Sequence, residues 1–152
     1  MNVKTVGVLA LMLVACERKA PVTETSTPHE LTGTWQLITG VTIQKGDTTT
    51  TDYRENQRMI KIINDTHFAF LNHDLKKGQD STAMFISGGG TYSLAGDQYT
   101  ENLEYCNYRE WEGKSFHFTV TVKNDTLVQR GVEEVAEAGV SREIIETYAR
   151  SK

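Results

Sequence analysis

Apolar and polar residues alternate with a period of two along most of the chain after residue 30, the pattern of half-buried β-strands. It is cleanest where Phe116, Phe118, Val120 and Val122 fall on one face while His117, Thr119 and Thr121 fall on the other. Residues 34–44 are rich in β-branched and aromatic side chains and predict a first strand. Residues 48–54 favour a strand through consecutive threonines but define no face. Residues 57–63 and 66–71 flank Asn64-Asp65, and residues 119–123 and 126–128 flank Asn124-Asp125. Asn and Asp tolerate positive φ, so both pairs are expected to form two-residue hairpin turns.

Residues 72–81 read as a polar loop, followed by a short strand over 82–86. Gly88, Gly89 and Gly90 come next, and glycines there imply a bulge, a corner or a close approach of two backbones. A phosphate cradle needs a helix N-terminus after the glycines. Here Thr91-Tyr92-Ser93-Leu94 reads as strand, so that use is rejected. After a turn at residues 95–98, alternation places Tyr99, Glu101, Leu103 and Tyr105 on one face, opposite Thr100, Asn102, Glu104 and Cys106. Residues 107–114 form a turn carrying Trp111. Gly131 is expected to end the following strand, and residues 133–138 to form a helical turn capped by Gly139. Residues 142–150 read as a closing strand with Ile144, Glu146 and Tyr148 on one face, helix being the competing assignment. About eight to ten short strands at regular spacing predict an all-β antiparallel fold, an up-and-down barrel rather than a sandwich because the hairpins are consecutive.

The first residues depart from this pattern. Residues 6–15 are continuously apolar after a start bearing Lys4, too short for a spanning helix and shaped as a signal peptide. The segment ends in Leu13-Val14-Ala15-Cys16, which resembles the bacterial lipobox. That resemblance implies that residues 1–15 are removed and that Cys16 is lipidated and anchors the protein in the cell envelope. The outer membrane is the site it implies. Residues 16–30, with Pro21, Pro28 and a Thr/Ser/Glu run, lack an apolar period and read as a flexible tether. Residues 31–152 form the folded domain.

Composition narrows the function. A formal charge of −4 with no Lys/Arg cluster argues against nucleic acid as a partner. With Cys16 spent on lipid, Cys106 has no disulfide partner and reads as a small buried hydrophobe. His67, His73 and His117 lack metal-ligand spacing, and no Gly-x-Ser-x-Gly elbow is present. No catalytic set, metal or cofactor is therefore expected. Glu101 and Glu104 fall on opposite faces and form no acid–base pair, which leaves only a pairing of Glu101 with His67 or His117.

Gly33-Thr34-Trp35 at the head of the first strand, the hairpin meander and Tyr148-Ala149-Arg150 near the end resemble the lipocalin (calycin) superfamily. Several further stretches, among them Lys61–Phe68 and Gly89–Leu94, resemble a bacterial lipocalin-like lipoprotein family of uncharacterised function. The resemblance implies a barrel closed at one end by Gly33 and Trp35, with Arg150 stacked on the indole, and a general binding role. The candidate ligand-binding residues are Phe68, Phe70, Phe85, Tyr92, Glu101, Tyr105 and Phe118, aromatics able to wall an apolar site around one carboxylate. Taken singly, each aromatic suits plain core better than a binding role, and Glu101 equally suits a solvated rim. Three functions follow: a lipid-anchored carrier of a small, largely apolar molecule; an envelope structural or interaction protein with a filled barrel; and a hydrolase or isomerase using Glu101. An internal cavity favours the first, a packed interior the second, and a carboxyl of raised pKa in a cleft the third.

Overall fold

The computed structural model describes residues 28–152, with side chains from residue 30 onward. The signal segment, Cys16 and nearly all of the tether therefore lie outside the described residues, as does the side chain of His29. The strands are β1 Gly33–Gln44, β2 Asp47–Asp52, β3 Gln57–Ile63, β4 His67–Asp74, β5 Phe85–Ala95, β6 Gln98–Cys106, β7 Lys114–Lys123, β8 Thr126–Val135 and β9 Val140–Arg150. All pairings are antiparallel between neighbours in the order β2-β1-β3-β4-β5-β6-β7-β8-β9, and β1 also pairs with β9. The fold is thus an up-and-down barrel of eight strands, with β2 as one extra strand.

β1 achieves closure by dividing its edge. Its first residues pair with β3 (Gly33↔Ile63 to Gln36↔Ile60) and its later ones with β2 (Thr39↔Asp52 to Gln44↔Asp47). Its other edge pairs with β9 from Trp35↔Arg150 to Ile43↔Glu143, across a bulge between Leu37 and Thr39. The last strand is therefore β and not helix. It starts at Val140, and β8 runs through Gly131 to Val135 before a 3-10 turn at Ala136–Ala138 that Gly139 ends at φ 67°. The helical turn is thus shorter than residues 133–138 suggested, because Val132 to Val135 are held in register by residues 140–143 of β9.

The two Asn-Asp pairs make different turns. Asn124 and Asp125 both have positive φ (48° and 60°), the mirror-type turn that matches strand twist. Asn64-Asp65 does not: the Asn64 side-chain oxygen instead accepts the N–H groups of Thr66 (2.9 Å) and His67 (2.7 Å), a local side-chain turn.

The three glycines lie inside β5, where β4 and β6 press from both sides. A Cβ on Gly88 would lie 2.7 Å from the Phe70 ring and 2.8 Å from the Tyr105 carbonyl oxygen, and one on Gly90 would collide with the Asn102 carbonyl. Beside them Gly89↔Tyr105 is followed by Gly90↔Leu103, leaving Glu104 as an extra residue in β6.

One end of the barrel is closed. A helical turn, α1 Pro28–Leu31, inserts Leu31, and its carbonyl accepts the Trp35 indole N–H at 2.8 Å. Arg150 lies over the Trp35 ring (4.1 Å to the centroid) and donates to the carbonyls of Thr32 (2.8 Å) and Glu30 (2.7 Å). Gly33 has φ 138°, and a Cβ there would lie 2.6 Å from the Arg150 guanidinium. Trp35, Leu37, Ile63, Phe68, Val120, Leu127 and Tyr148 pack this end with almost no exposure.

Candidate functional site

Above this packed end the barrel is hollow. A cavity of about 450 Å³ runs towards the opposite rim, within the range of small-molecule sites. Met59, Phe70, Leu103, Phe116 and Phe118 supply apolar wall, and Trp111 and Ala138 approach from the 3-10 turns at the rim. The Trp111 and Phe116 rings are in contact, with centroids 5.6 Å apart. Tyr53, just past β2, lies against the bare Cα of Gly40, where a Cβ would approach its ring to 3.0 Å.

The cavity floor is polar. Lys61 on β3, Glu101 on β6, Gln129 on β8 and Glu146 on β9 all face inward, and Gln129 stands directly opposite Glu146 across the β8–β9 ladder. Lys61 and Glu101 are only 2% and 6% exposed. The Lys61 ammonium donates to Glu101 Oε1 at 2.7 Å and to Gln129 Oε1 at 2.8 Å. The Tyr148 and Phe68 rings lie 5.4 and 5.9 Å from the same nitrogen, adding cation–π attraction. This satisfies a cation that would otherwise be costly to bury.

Glu146 is differently placed. The Tyr148 hydroxyl donates to its Oε2 at 2.6 Å, while Oε1 accepts no hydrogen bond among the described residues. Burial is the largest influence and lifts its carboxyl above the usual range, against the attraction of Lys61 and the Tyr148 hydrogen bond. Burial likewise pushes up the Tyr148 and Tyr99 hydroxyls, with Glu146 and Glu101 respectively adding to the effect. Nearer the rim Arg142 donates to Glu133 at 2.7 Å and lies 5.9 Å from the centre of the Trp111 ring.

Of the residues singled out from the sequence, Phe70, Glu101 and Phe118 line the cavity. Phe68 is buried beneath Lys61, and Tyr92 packs on Tyr99 (5.3 Å) with its hydroxyl on the Asn64 carbonyl (2.8 Å), so both belong to the closed end. Phe85 and Tyr105 do not face the interior: they are 58% and 69% exposed. Phe85 is out of phase with Ile86, which does line the cavity. Tyr105 follows the extra residue Glu104, which reverses inside and outside for the rest of β6 and brings Cys106 to the cavity wall instead. The Cys106 thiol is pushed up by burial, as befits an inert side chain. His67 and His117 are exposed and bonded to Thr66 and Thr100, so neither partners Glu101.

Lys61, Gln129 and Glu146 escaped the sequence reading as site residues. Lys61 shares its phase with Met59 and Ile63, and Glu146 with Ile144 and Tyr148, which was a usable signal. On β3 Ile60 and Ile62 make the opposite phase equally apolar, which hides it.

A family model described as a domain of unknown function (DUF4488) matches residues 30–152. The chain belongs to that family. A comparison with curated proteins finds no match. The DUF4488 domain thus spans all nine strands together with Leu31, the residue that plugs the closed end.

Proposed function

We propose that this DUF4488 protein is a lipid-anchored carrier in the cell envelope, holding one small, largely apolar molecule inside its barrel. In this reading residues 1–15 are a signal peptide, lipid on Cys16 fixes the protein to the outer membrane, and residues 16–30 hold the barrel away from the bilayer. The observation that carries the reading is the 450 Å³ cavity with aromatic walls and a few convergent polar groups on its floor. Resemblance to lipocalins, at Gly33, Trp35 and Arg150, supports the same role. A filled structural barrel would not leave such a volume empty, since interiors are normally close-packed. An acid–base role for Glu101 is disfavoured because Lys61 already holds its Oε1.

Native mass spectrometry of the full-length protein, extracted mildly from its own cells, tests this. A single additional mass that disappears on denaturation is expected. A population with no such adduct, together with no binding across a panel of small amphiphiles, would leave the carrier role without support. A Cys16→Ser protein should lose its lipid mass and leave the membrane fraction; unchanged fractionation would remove the anchor from the proposal.

A further inference from the structure

The polar floor is not evenly used, and the imbalance points to the charge of the occupant. The cavity is lined by Glu101, Glu110, Glu133 and Glu146 against Lys61 and Arg142. Lys61 is committed to Glu101 and Gln129 and flanked by two rings. Arg142, nearer the rim, donates its Nε–H to Glu133. A carboxylate head at the floor would find Lys61 already paired with Glu101 and would face Glu146. At the floor, Glu146 is the carboxyl without a cationic partner: Tyr148 occupies one oxygen and the other accepts nothing among the described residues. Above it, Phe116, Phe118, Leu103 and Phe70 give an apolar sleeve.

Resting on the carrier reading, we propose that the ligand is a small amphiphilic amine. Its ammonium pairs with Glu146 on the floor, and its hydrocarbon or aromatic body lies along the phenylalanines. A buried, charge-assisted hydrogen bond to an otherwise idle carboxylate oxygen supplies selectivity that the walls lack. An ammonium also offsets the cost of ionising Glu146 in the partly desolvated cavity. The groups facing Glu146 are Lys61 on β3, Glu101 on β6, Glu133 on β8, Tyr148 on β9, and Tyr53 after β2, whose own hydroxyl is raised by burial and by Glu146. Lys61 and Glu101 neutralise one another, so ionisation of Glu146 governs the pH response.

The test is calorimetric titration of the intact protein with one hydrocarbon body bearing three heads: 2-phenylethylamine, 2-phenylethanol and 3-phenylpropionate, with the octyl series alongside. The amines are expected to bind about tenfold or more tighter than the alcohols, and the carboxylates more weakly still. Amine affinity should rise with pH above the ordinary glutamate range, as the raised Glu146 carboxyl ionises while the amine stays protonated. Glu146→Gln, which keeps an acceptor for Tyr148, should bring amine affinity down to that of the alcohol. Glu134→Gln on the outer face should leave it unchanged. Alcohols binding as tightly as amines, or carboxylates binding best, would overturn the amine assignment and leave the carrier intact. No binding by any of the three heads would overturn the amine assignment, and the carrier reading falls with it only where native mass spectrometry also shows no adduct. The head-group series on the unaltered protein decides the matter even if a variant fails to fold.

Discussion

Burying an ammonium group costs several kcal/mol unless it is paired and hydrogen-bonded, which makes Lys61 sensitive to the loss of Glu101 and Gln129. Lys61→Met would strand the Glu101 carboxylate, 6% exposed, and is expected to cost about 3–5 kcal/mol. Adding Glu101→Leu should recover most of that loss in denaturant unfolding, and failure to recover would show that the pair is not the source of the cost. Glu146 behaves in the opposite sense. Its carboxyl is held above the usual range chiefly by burial, so the folded protein keeps a proton that the unfolded chain releases first. The stability associated with this group is therefore full below the unfolded pKa and is lost as pH rises through the folded one. Glu146→Gln should raise the melting temperature at about pH 8 and leave it unchanged near pH 4. A variant less stable at both values would refute this. A carboxyl that burial holds above its usual range inside a cavity is a candidate for a binding role.

At the level of strands, β5 shows how a local composition serves two neighbours. Gly88 makes room for the Phe70 ring, while Gly89 and Gly90 admit the backbones of β4 and β6. Gly90→Ala would place a methyl on the Asn102 carbonyl and is expected to cost about 3 kcal/mol or more, or to prevent folding. Gly78→Ala, at φ 70° with open space around it, should cost only about 1 kcal/mol. Equal costs measured by urea unfolding would contradict the close approach. The bulge beside Gly90 also explains the failure of strict alternation along β6. Tyr99, Glu101 and Leu103 face in as parity requires, but Glu104 adds one residue and sends Tyr105 outward. Nothing in the local pattern marks that insertion, because either phase offers an acceptable mixture of side chains.

The molecule as a whole has one sealed end and one open one. The seal joins the two ends of the domain: Arg150, at the end of β9, bonds the carbonyls of Glu30 and Thr32 and covers Trp35. Arg150→Ala is expected to cost about 1.5–3 kcal/mol, the worth of charge-assisted hydrogen bonds with a cation–π contact. Hydrogen exchange should then lose protection over residues 30–36. Arg150→Lys should recover little, since a point charge cannot reproduce the planar fork. Undiminished protection would mean that α1 is held by Leu31 alone. The open end, framed by the 3-10 turns at Arg109–Trp111 and Ala136–Ala138, carries the charged pair Arg142–Glu133 and leads to the polar floor.

Alternation and turn chemistry alone determined that the domain is predominantly β, that its hairpins follow one another, and that Phe116, Phe118 and Val120 share a face, while the last strand stayed open to a helical assignment. These are local properties: side-chain direction repeats every two residues, and Asn-Asp or Gly-Asp pairs permit the reversals. Gly33, Trp35 and Arg150 were legible through resemblance, although they stand more than a hundred residues apart. The tertiary structure decided the rest. Only there does Lys61 leave an ambiguous strand to meet Glu101 and Gln129 from two others. Only there does the extra residue at Glu104 exchange Tyr105 for Cys106. Whether the centre is hollow depends on the summed volume of side chains from eight strands, a quantity no single stretch of sequence contains.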